Sequence, residues 1–312
     1  MSLHPQPDPD RLDLDGTGVL GHEGEQLPDA ATVAELVALA ERLAREAGAL
    51  VREGRPDQVD VAATKSSAID VVTAMDYASE ALLRRVLAAE RPQDGVLGEE
   101  EGHVAGSSGV TWVLDPIDGT VNYLYGIPAY AVSVAAVVGP PEPGRWTAVA
   151  GCVHAVADGR TWVAGRGQGA YRDGRRLSVN PERPLVESLV GTGFGYVASR
   201  RREQARVVAE LLPQVRDLRR IGSAAMDLCA VADGSLDAHY ERGLQPWDLA
   251  AGALVAQEAG AVVTGLRGAR AGEAMTVSGP AGTVARLVAL LERLDADRDV
   301  VAGPEEAEPG GS

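Results

Sequence analysis

The first regular pattern in the chain is a stripe of apolar residues that recur every three or four positions between 33 and 51. Glu and Arg occupy the positions between them. This period predicts an amphipathic α-helix whose apolar face packs on the core or against a second subunit. Asp29 or Thr32 can cap its start, and Gly54 can cap its end. We expect this helix to carry no chemistry.

Apolar runs rich in Val and Ala predict a sheet in the first half of the chain. An extended segment from Thr64 leads into a second helix, which ends before Pro92. Residues 96–100 are interpreted as a short strand and residues 102–109 as a flexible loop. The Gly-rich stretch 165–176 lacks the spacing and the Lys of a nucleotide-binding loop, so it is interpreted as a hairpin. Strands covered on both faces are predicted at 131–138, 146–153 and 161–164.

The second half alternates between short apolar runs and amphipathic stretches. Strands are predicted at 188–192, 219–221, 238–241, 261–264 and 275–278. Helices are predicted at about 199–212, 223–232, 248–259 and 280–294. Such alternation predicts a mainly parallel sheet with covering helices. Ligands of these sheets bind beyond the carboxyl ends of the strands, where residues 222–224 and Asp248 fall.

Composition restricts the class of protein. Hydrophobic residues make up 45% of the 312 residues, which is typical of a packed globular chain. The longest apolar run, around 129–138, is too short to span a bilayer. The amino-terminal stretch lacks the basic and apolar regions of a secretory signal, so we expect a cytoplasmic protein without a membrane segment. Cys152 and Cys229 lie in apolar surroundings and are interpreted as buried thiols.

The net charge of −16 argues against nucleic acid as a partner, and it is concentrated at the two ends. Residues 1–29 contain seven acidic residues and one Arg, and residues 295–312 contain six and one. Both ends are predicted to be disordered, solvated acidic tails, and recruitment of a basic partner is the less favoured alternative. Between them we expect an amino-terminal metal-binding subdomain at 30–185 and a carboxy-terminal α/β subdomain at 186–294.

The candidate chemistry begins where an apolar run stops at two carboxylates, Asp115 and Asp118. Pro116 predicts an immediate turn, which places Asp115 at the carboxyl end of a buried strand. Gly119 permits an unusual backbone conformation, so that its amide and Thr120 can bind an anion. Two carboxylates would repel that anion unless divalent cations lie between them, and Mg²⁺ commonly bridges a carboxylate to a phosphate. The alternative interpretation is a simple turn that caps a strand.

Four motifs, in this order, resemble those of the inositol monophosphatase family. They are Asp70-Val-Val-Thr-Ala-Met-Asp76, Gly98-Glu-Glu, Asp115-Pro-Ile-Asp-Gly-Thr and Trp247-Asp-Leu-Ala-Ala-Gly252. Two further segments are similar to its bacterial inositol-1-monophosphatase branch, namely Gly191-Thr-Gly-Phe-Gly and Ile221-Gly-Ser-Ala-Ala-Met-Asp-Leu. The resemblance covers residues from about 30 to about 294. It implies an α/β sugar-phosphatase fold, a layered αβαβα sandwich with a mixed or antiparallel sheet first and a mainly parallel sheet second, and a homodimer.

The resemblance also implies roles for individual residues. Two or three Mg²⁺ ions are assigned to Glu99, Asp115, the Ile117 carbonyl, Asp118 and Asp248. The Gly119 and Thr120 amides are assigned to the phosphate. Thr120, hydrogen-bonded to Asp76, would orient the attacking water, and Glu99 would favour its deprotonation. Paired metal ions can activate water and stabilise the departing alkoxide, so no protein nucleophile is needed.

Several of these residues also have a structural interpretation. Asp76 falls in the first turn of a helix, where it complements the helix dipole, and Asp248 can cap a helix. Adjacent residues of an extended chain point to opposite faces, so Glu100 is expected to face solvent while Glu99 faces the metal. Lys65 is expected to be solvated or to stabilise its loop.

Substrate selection is expected to come from the second half. The resemblance matches Glu241 to a residue that hydrogen-bonds sugar-ring hydroxyls, and Ala224 to one whose backbone contacts them. Gln245 departs from the His of many animal members, yet its amide still donates and accepts hydrogen bonds. The expected substrate contacts are Asp118, Gly119, Thr120, Gly222, Ser223, Ala224, Glu241 and Asp248.

The sequence therefore predicts a Mg²⁺-dependent phosphomonoesterase that hydrolyses myo-inositol 1-phosphate, a small phosphorylated polyol, with metal-activated water. Li⁺ sensitivity is implied by the resemblance. Histidinol phosphate and nucleotide 3′-phosphates are the alternative substrates. A non-enzymatic interaction protein would be expected to lose a ligand carboxylate, and none is lost. His103, His154 and His239 belong to no catalytic motif and are expected to be structural.

Overall fold

A computed structural model describes residues 27–56, 59–65, 71–142 and 145–298. The predicted tails, 1–29 and 295–312, therefore lie mostly outside the described residues, as does Asp70. The first helix, α1, spans Ala30–Glu53. Asp29 accepts a hydrogen bond of 2.8 Å from the Thr32 amide, so Asp29, of the two predicted candidates, caps the start of α1.

The first half of the chain forms one large sheet with flanking helices and a separate antiparallel pair, β1 with β2. After α1, its elements are β1 (Val61–Thr64), β2 (Val71–Thr73), α2 (Ala74–Glu90), β3 (Gly95–Gly98), β4 (Gly102–Val104), β5 (Val110–Asp118), α3 (Thr120–Tyr125), β6 (Ala131–Val138), β7 (Thr147–Ala155), β8 (Thr161–Gly165), β9 (Gly169–Arg172) and β10 (Arg175–Arg176). Eight strands pair in the order β10-β9-β8-β7-β6-β5-β3-β4. Every neighbouring pair is antiparallel except β3 with β5, so the sheet is mixed as predicted.

The second half forms a five-stranded sheet. Its elements are β11 (Leu189–Thr192), α4 (Ala198–Leu211), β12 (Asp217–Arg219), α5 (Ala224–Ala232), β13 (Ala238–Glu241), α6 (Pro246–Glu258), β14 (Val262–Thr264), β15 (Thr276–Gly279) and α7 (Ala281–Arg293). The strand order is β12-β11-β13-β15-β14. Only β15 runs against its neighbours, so the prediction of a mainly parallel sheet is confirmed.

Helices and sheets are stacked in five layers, α/β/α/β/α. Successive residues of β5 point to opposite faces of the first sheet, so Trp112 joins the core under α1 and α2 while Val113 joins the core under α5 and α6. On the other side of the second sheet, Leu287 and its neighbours in α7 pack with α4. The predicted layered sandwich is confirmed. Among the described residues, no helix combines the length and apolar character needed to cross a membrane.

Two predictions about the first half are wrong. Pro116 does not end its strand, because β5 continues to Asp118 through a register shift opposite β6. Proline has no N–H to give to a ladder, and a bulge accommodates it without ending the strand. Residues 102–109 are not all loop either, since Gly102–Val104 pairs with β3. That strand has three residues, too few to leave a pattern in the sequence.

The α1–β7 contact provides a test of packing. A Cβ on the buried Gly48 would lie 2.3 Å from Cδ2 of His154, and a 2.8 Å hydrogen bond to Thr161 Oγ1 holds that ring. We expect Gly48→Ala to lower the free energy of unfolding by about 1–2 kcal/mol, since overpacking exceeds the gain in helix propensity. Urea unfolding measures the change. In a His154→Ala background the same substitution should be neutral or stabilising, and an equal loss in both backgrounds would contradict the clash.

Candidate functional site

Three aspartates converge from the two halves of the chain. Asp115 and Asp118 lie at the end of β5, on either side of its bulge, and both are buried. Asp248 lies in the first turn of α6 and accepts a 2.7 Å hydrogen bond from the Gln245 amide, so it caps the helix as well. One carboxylate oxygen from each of the three lies within 4.8 Å of the others. The end of β5 and the start of α6 together build this three-aspartate cluster.

The electrostatics of the three-aspartate cluster favour a bound cation. Burial, followed by the charges of nearby carboxylates including Glu99, raises the pKa of Asp115 and of Asp248 well above their ordinary values. Burial also raises the pKa of Asp118, although hydrogen bonds oppose that shift. A divalent cation would relieve the mutual repulsion, and an all-oxygen donor set suits a hard ion such as Mg²⁺. The residues present therefore fit the metal that the motifs imply.

The chain segment after β5 turns sharply around Gly119. Gly119, the residue before α3, has φ 98°, and a Cβ there would lie 2.9 Å from the Ala129 carbonyl oxygen, so both conformation and space favour glycine. The Thr120 hydroxyl lies 3.0 Å from the Ile117 carbonyl oxygen and 3.1 Å from Asp76 Oδ1, and its single proton is shared between these two acceptors. Ile117, Gly119 and Thr120 thus lie beside the three-aspartate cluster in one tight turn.

Asp76 and Thr120 are in contact, although they are far apart in sequence. The Thr120 hydroxyl lies 3.1 Å from Asp76 Oδ1, within hydrogen-bonding distance. The other oxygen of Asp76 accepts bonds from the Thr73 amide and hydroxyl at 2.8 and 2.5 Å, which caps α2. Burial raises the pKa of Asp76, and these hydrogen bonds oppose the shift. Because Asp76 is fixed on one side by the helix cap, its free oxygen holds the Thr120 hydroxyl.

Lys65 corrects two expectations about charged residues. Its Nζ lies 2.7 Å from Glu99 Oε1 and 2.7 Å from Glu100 Oε1, so Lys65 is ion-paired rather than solvated. Glu100 does not face solvent, since its side chain is only 2% exposed. Both carboxylates turn towards one cation because the chain bends directly after β3. Burial raises the pKa of Glu99 to about 7, and the charge of Lys65 opposes the shift.

Residues from the second half support the first-half carboxylates. The Ser223 hydroxyl and the Ala225 amide donate to Asp118 Oδ2 at 2.6 and 2.7 Å. Ser223 also caps α5 by accepting from the Met226 amide. Gly222, with φ 95°, precedes this cap, and Ala224 is the first residue of the helix. The Gly-Ser-Ala segment thus orients Asp118 across the interface between the sheets.

Glu241 is the last residue of β13 and lies close enough to Asp118, in the three-aspartate cluster, for their charges to interact. Burial, followed by the charge of Asp118, raises the pKa of Glu241 to about 8. Gln245, four residues later, bonds the Gly243 carbonyl through its side-chain amide. The charge of Glu241 also contributes to the raised pKa of Asp248, after burial and the charges of Asp118 and Glu99.

Some residues at the site escaped the sequence analysis. The Asn122 side chain donates to the carbonyls of Ala129 and Ile221 at 2.7 and 2.9 Å, which ties the turn after β5 to the second half. The Arg220 guanidinium lies where a Cβ on Gly222 would come within 2.3 Å of it. Asn122 lies two residues after the third motif, and Arg220 precedes the Ile221 segment, so proximity to a motif was the only available signal.

Comparison with known proteins agrees with this geometry. The model of the inositol monophosphatase family matches residues 32–302. The inositol-1-monophosphatase SuhB of Mycobacterium tuberculosis is 47% identical over 282 residues, covering 84% of this chain and 95% of that protein. The solved structure of Mycobacterium tuberculosis SuhB superposes with a TM-score of 0.71 at 45% identity, covering 85% of this chain and 98% of the other.

A more distant relative has a different name. The Nus factor SuhB of Vibrio cholerae is 33% identical over 232 residues, covering 74% of this chain and 85% of that protein.

The layered fold and the three-aspartate cluster, taken with these matches, define a metal-dependent phosphatase. The chain belongs to the inositol monophosphatase family.

Proposed function

We propose that the protein is a Mg²⁺-dependent phosphatase that hydrolyses myo-inositol 1-phosphate to inositol and phosphate. The observation that carries the proposal is the convergence of Asp115, Asp118 and Asp248, whose oxygens lie within 4.8 Å of one another. Glu99 and the Ile117 carbonyl complete the proposed ligand set for two or three ions. When bound, Mg²⁺ would activate the attacking water and stabilise the leaving oxygen.

The protein side chains would position the water and accept its proton. Thr120, held by Asp76 at 3.1 Å, is proposed to orient the water in line with the phosphorus atom. Glu99, whose Oε1 lies 2.7 Å from Lys65 Nζ, is the proposed acceptor of the proton. The amides of Gly119 and Thr120 are proposed to bind phosphate oxygens.

The substrate assignment rests on the second half of the chain. Glu241 is proposed to accept hydrogen bonds from ring hydroxyls, with Gly222, Ser223 and Ala224 lining the same side. Histidinol phosphate carries an ammonium group, and the guanidinium of Arg220 beside Gly222 disfavours a second cation there. The relative at 47% identity is named an inositol-1-monophosphatase, and the Nus factor is 33% identical. This supports the polyol over a nucleotide 3′-phosphate and over a non-enzymatic role suggested by the Nus factor name.

Competing-substrate kinetics test the substrate assignment. With saturating Mg²⁺, kcat/KM should be highest for inositol 1-phosphate. Glu241→Gln should lower kcat/KM for inositol 1-phosphate by a factor that corresponds to about 1–3 kcal/mol of transition-state binding, the range for a lost hydrogen bond to a charged group. The Mg²⁺ dependence should be unchanged. The exposed Glu187→Gln serves as the matched control. A preference for histidinol phosphate, or no effect of Glu241→Gln, would mean that the chemistry acts on another substrate.

Li⁺ is expected to inhibit the enzyme at millimolar concentration. The family resemblance implies this sensitivity, and the all-oxygen cluster suits a small, hard cation that competes for the same ligands. Dose-response assays at saturating Mg²⁺ measure the effect, with Na⁺ at equal ionic strength as the control. Equal responses to Li⁺ and Na⁺ would argue against the expectation.

The proposal also includes the assembly and location that the sequence suggested. We propose a cytoplasmic homodimer in which residues 30–185 form the metal-binding subdomain and residues 186–294 form the α/β subdomain. Light scattering of the purified protein gives its mass directly, and a monomeric mass would overturn the dimer.

A further inference from the structure

A second group of potential ligands lies in the five-stranded sheet, apart from the three aspartates. His239 and Glu241 are two residues apart on β13 and therefore lie on the same face of the sheet. Asp227, on α5, packs above that face. One ligand atom from each of these three residues lies within 4.8 Å of the others, and we call this group the second-sheet cluster. Asp227 is 1% exposed and His239 is 0% exposed.

The polar atoms of the second-sheet cluster are not satisfied by protein. Among the described residues, no hydrogen-bond partner lies within reach of either ring nitrogen of His239 or of Asp227 Oδ1. The ring Nε2 lies 3.6 Å from Glu241 Oε2, which is too long for a hydrogen bond. The two ring nitrogens point to opposite edges of the imidazole, so one of them faces the second-sheet cluster, where a carboxylate oxygen of Asp227 lies within 4.8 Å of a ring nitrogen. An unsatisfied buried polar group costs about 1–3 kcal/mol, so these unpartnered atoms indicate an additional ligand.

The neighbouring strand leaves room for these side chains. Gly191 pairs with His239 in the β11–β13 ladder, and Gly193 directly follows the end of β11. A Cβ on Gly191 would lie 3.0 Å from His239 Nδ1 and 3.1 Å from Asp227 Oδ1, and one on Gly193 would lie 1.9 Å from Glu241 Oε1. The two glycines of the Gly-Thr-Gly segment thus form the floor of the second-sheet cluster.

We propose that Asp227, His239 and Glu241 bind a divalent transition-metal ion of the Zn²⁺ class. An imidazole nitrogen beside two carboxylates suits zinc and its neighbours, whereas the oxygen-only three-aspartate cluster suits Mg²⁺. Zinc–ligand bonds of about 2.0–2.2 Å place ligand atoms roughly 3–4.4 Å apart, and the 3.6 Å between His239 and Glu241 falls in that range. Three protein ligands leave one position for a water molecule.

Metal binding at the second-sheet cluster has a consequence for catalysis that rests on the proposed function. Glu241 is the proposed contact to the ring hydroxyls, and a bound transition metal would take up its carboxylate. Inositol 1-phosphate and the metal would then compete for one residue. Such an ion would act as an inhibitor at saturating Mg²⁺, separately from any exchange at the three-aspartate cluster.

Calorimetric titration of Zn²⁺ into the full chain, in excess Mg²⁺, tests the binding directly. We expect one Zn²⁺ per chain. Substitution of a residue that only supports a metal ligand typically weakens metal binding by about 10–100-fold. Because His239 and Asp227 are proposed ligands, His239→Phe and Asp227→Asn should each weaken Zn²⁺ binding by more than about 100-fold. His103→Ala, which removes an exposed histidine, should bind like the unmodified protein. Circular dichroism confirms that each variant is folded. If the unmodified protein binds no Zn²⁺ in excess Mg²⁺, the proposal is wrong. It is also wrong if folded Asp227→Asn binds Zn²⁺ with the same affinity as the unmodified protein.

Activity assays form a second, separate readout. Zn²⁺ should inhibit inositol 1-phosphate hydrolysis by the unmodified protein, and His239→Phe should resist that inhibition. Binding without inhibition would support the metal site and contradict the role of Glu241 in substrate binding. Inhibition that is unchanged in His239→Phe would place the inhibitory ion elsewhere and would contradict the competition.

Discussion

Asp115→Asn is expected to abolish phosphatase activity while the chain stays folded. Asp115 is 1% exposed and lies within 4.8 Å of two other carboxylates, so it is central to the proposed Mg²⁺ site. Losing several kcal/mol of transition-state stabilisation corresponds to a rate loss on the order of 1000-fold or more. Phosphate release from inositol 1-phosphate at saturating Mg²⁺ measures it. The exposed Asp60→Asn is the control and should behave like the unmodified protein.

The same substitution has a predictable effect on stability without Mg²⁺. Burial and neighbouring charges raise the folded-state pKa of Asp115 and Asp248, so their protonated forms are favoured on folding. Stability is therefore fully present below their unfolded pKa of about 4 and is lost as pH rises through the folded values. In EDTA at neutral pH, Asp115→Asn should melt at or above the Tm of the unmodified protein. A lower Tm would contradict the repulsion.

Thr120→Val should reduce kcat by about 100–1000-fold, within the range for a positioned catalytic group, with a much smaller change in KM. The side-chain hydroxyl lies 3.1 Å from Asp76 and 3.0 Å from the Ile117 carbonyl, and valine keeps the shape but removes that hydroxyl. Steady-state kinetics at saturating Mg²⁺ measure the effect.

Thr120→Ser is the matched variant for this prediction, because serine retains the hydroxyl. It should keep kcat within about tenfold of the unmodified protein, the loss reflecting less precise positioning. Losses of similar size in Thr120→Ser and Thr120→Val would mean that removal of the hydroxyl does not account for the effect, since serine retains it. Near-normal turnover in Thr120→Val would show that this hydroxyl does not orient the water.

Long, periodic elements of this fold were predictable from sequence, and irregular ones were not. Helix α1, for example, spans Ala30–Glu53 between Asp29 and Gly54, as its apolar residues at steps of three and four predicted. The bulge at Pro116 was missed because local propensity favours a turn, whereas pairing with β6 on one side keeps the residues extended. The strand predicted at 219–221 is Asp217–Arg219, since the chain must turn at Gly222 before the helix cap.

Some of the site residues were likewise predictable from the sequence, and others were not. The spacing of two carboxylates after a buried strand pointed to Asp115 and Asp118, and the family resemblance added Asp248. The fold brings the three together from the end of β5 and the start of α6. The pairing of Lys65 with both Glu99 and Glu100 could not be predicted, because it depends on where two distant loops meet. His239 was expected to be structural, since an isolated histidine in an apolar strand gives no sign of the side chains that surround it.

The most direct test of this account is the dependence of inositol 1-phosphate hydrolysis on Mg²⁺. The purified full chain should release phosphate at saturating Mg²⁺, lose that activity in EDTA, and regain it when Mg²⁺ is restored in excess. Circular dichroism at each step separates loss of the ion from loss of the fold. Undiminished phosphate release in EDTA, or none with Mg²⁺ present on a folded chain, would contradict the proposed role of the three-aspartate cluster.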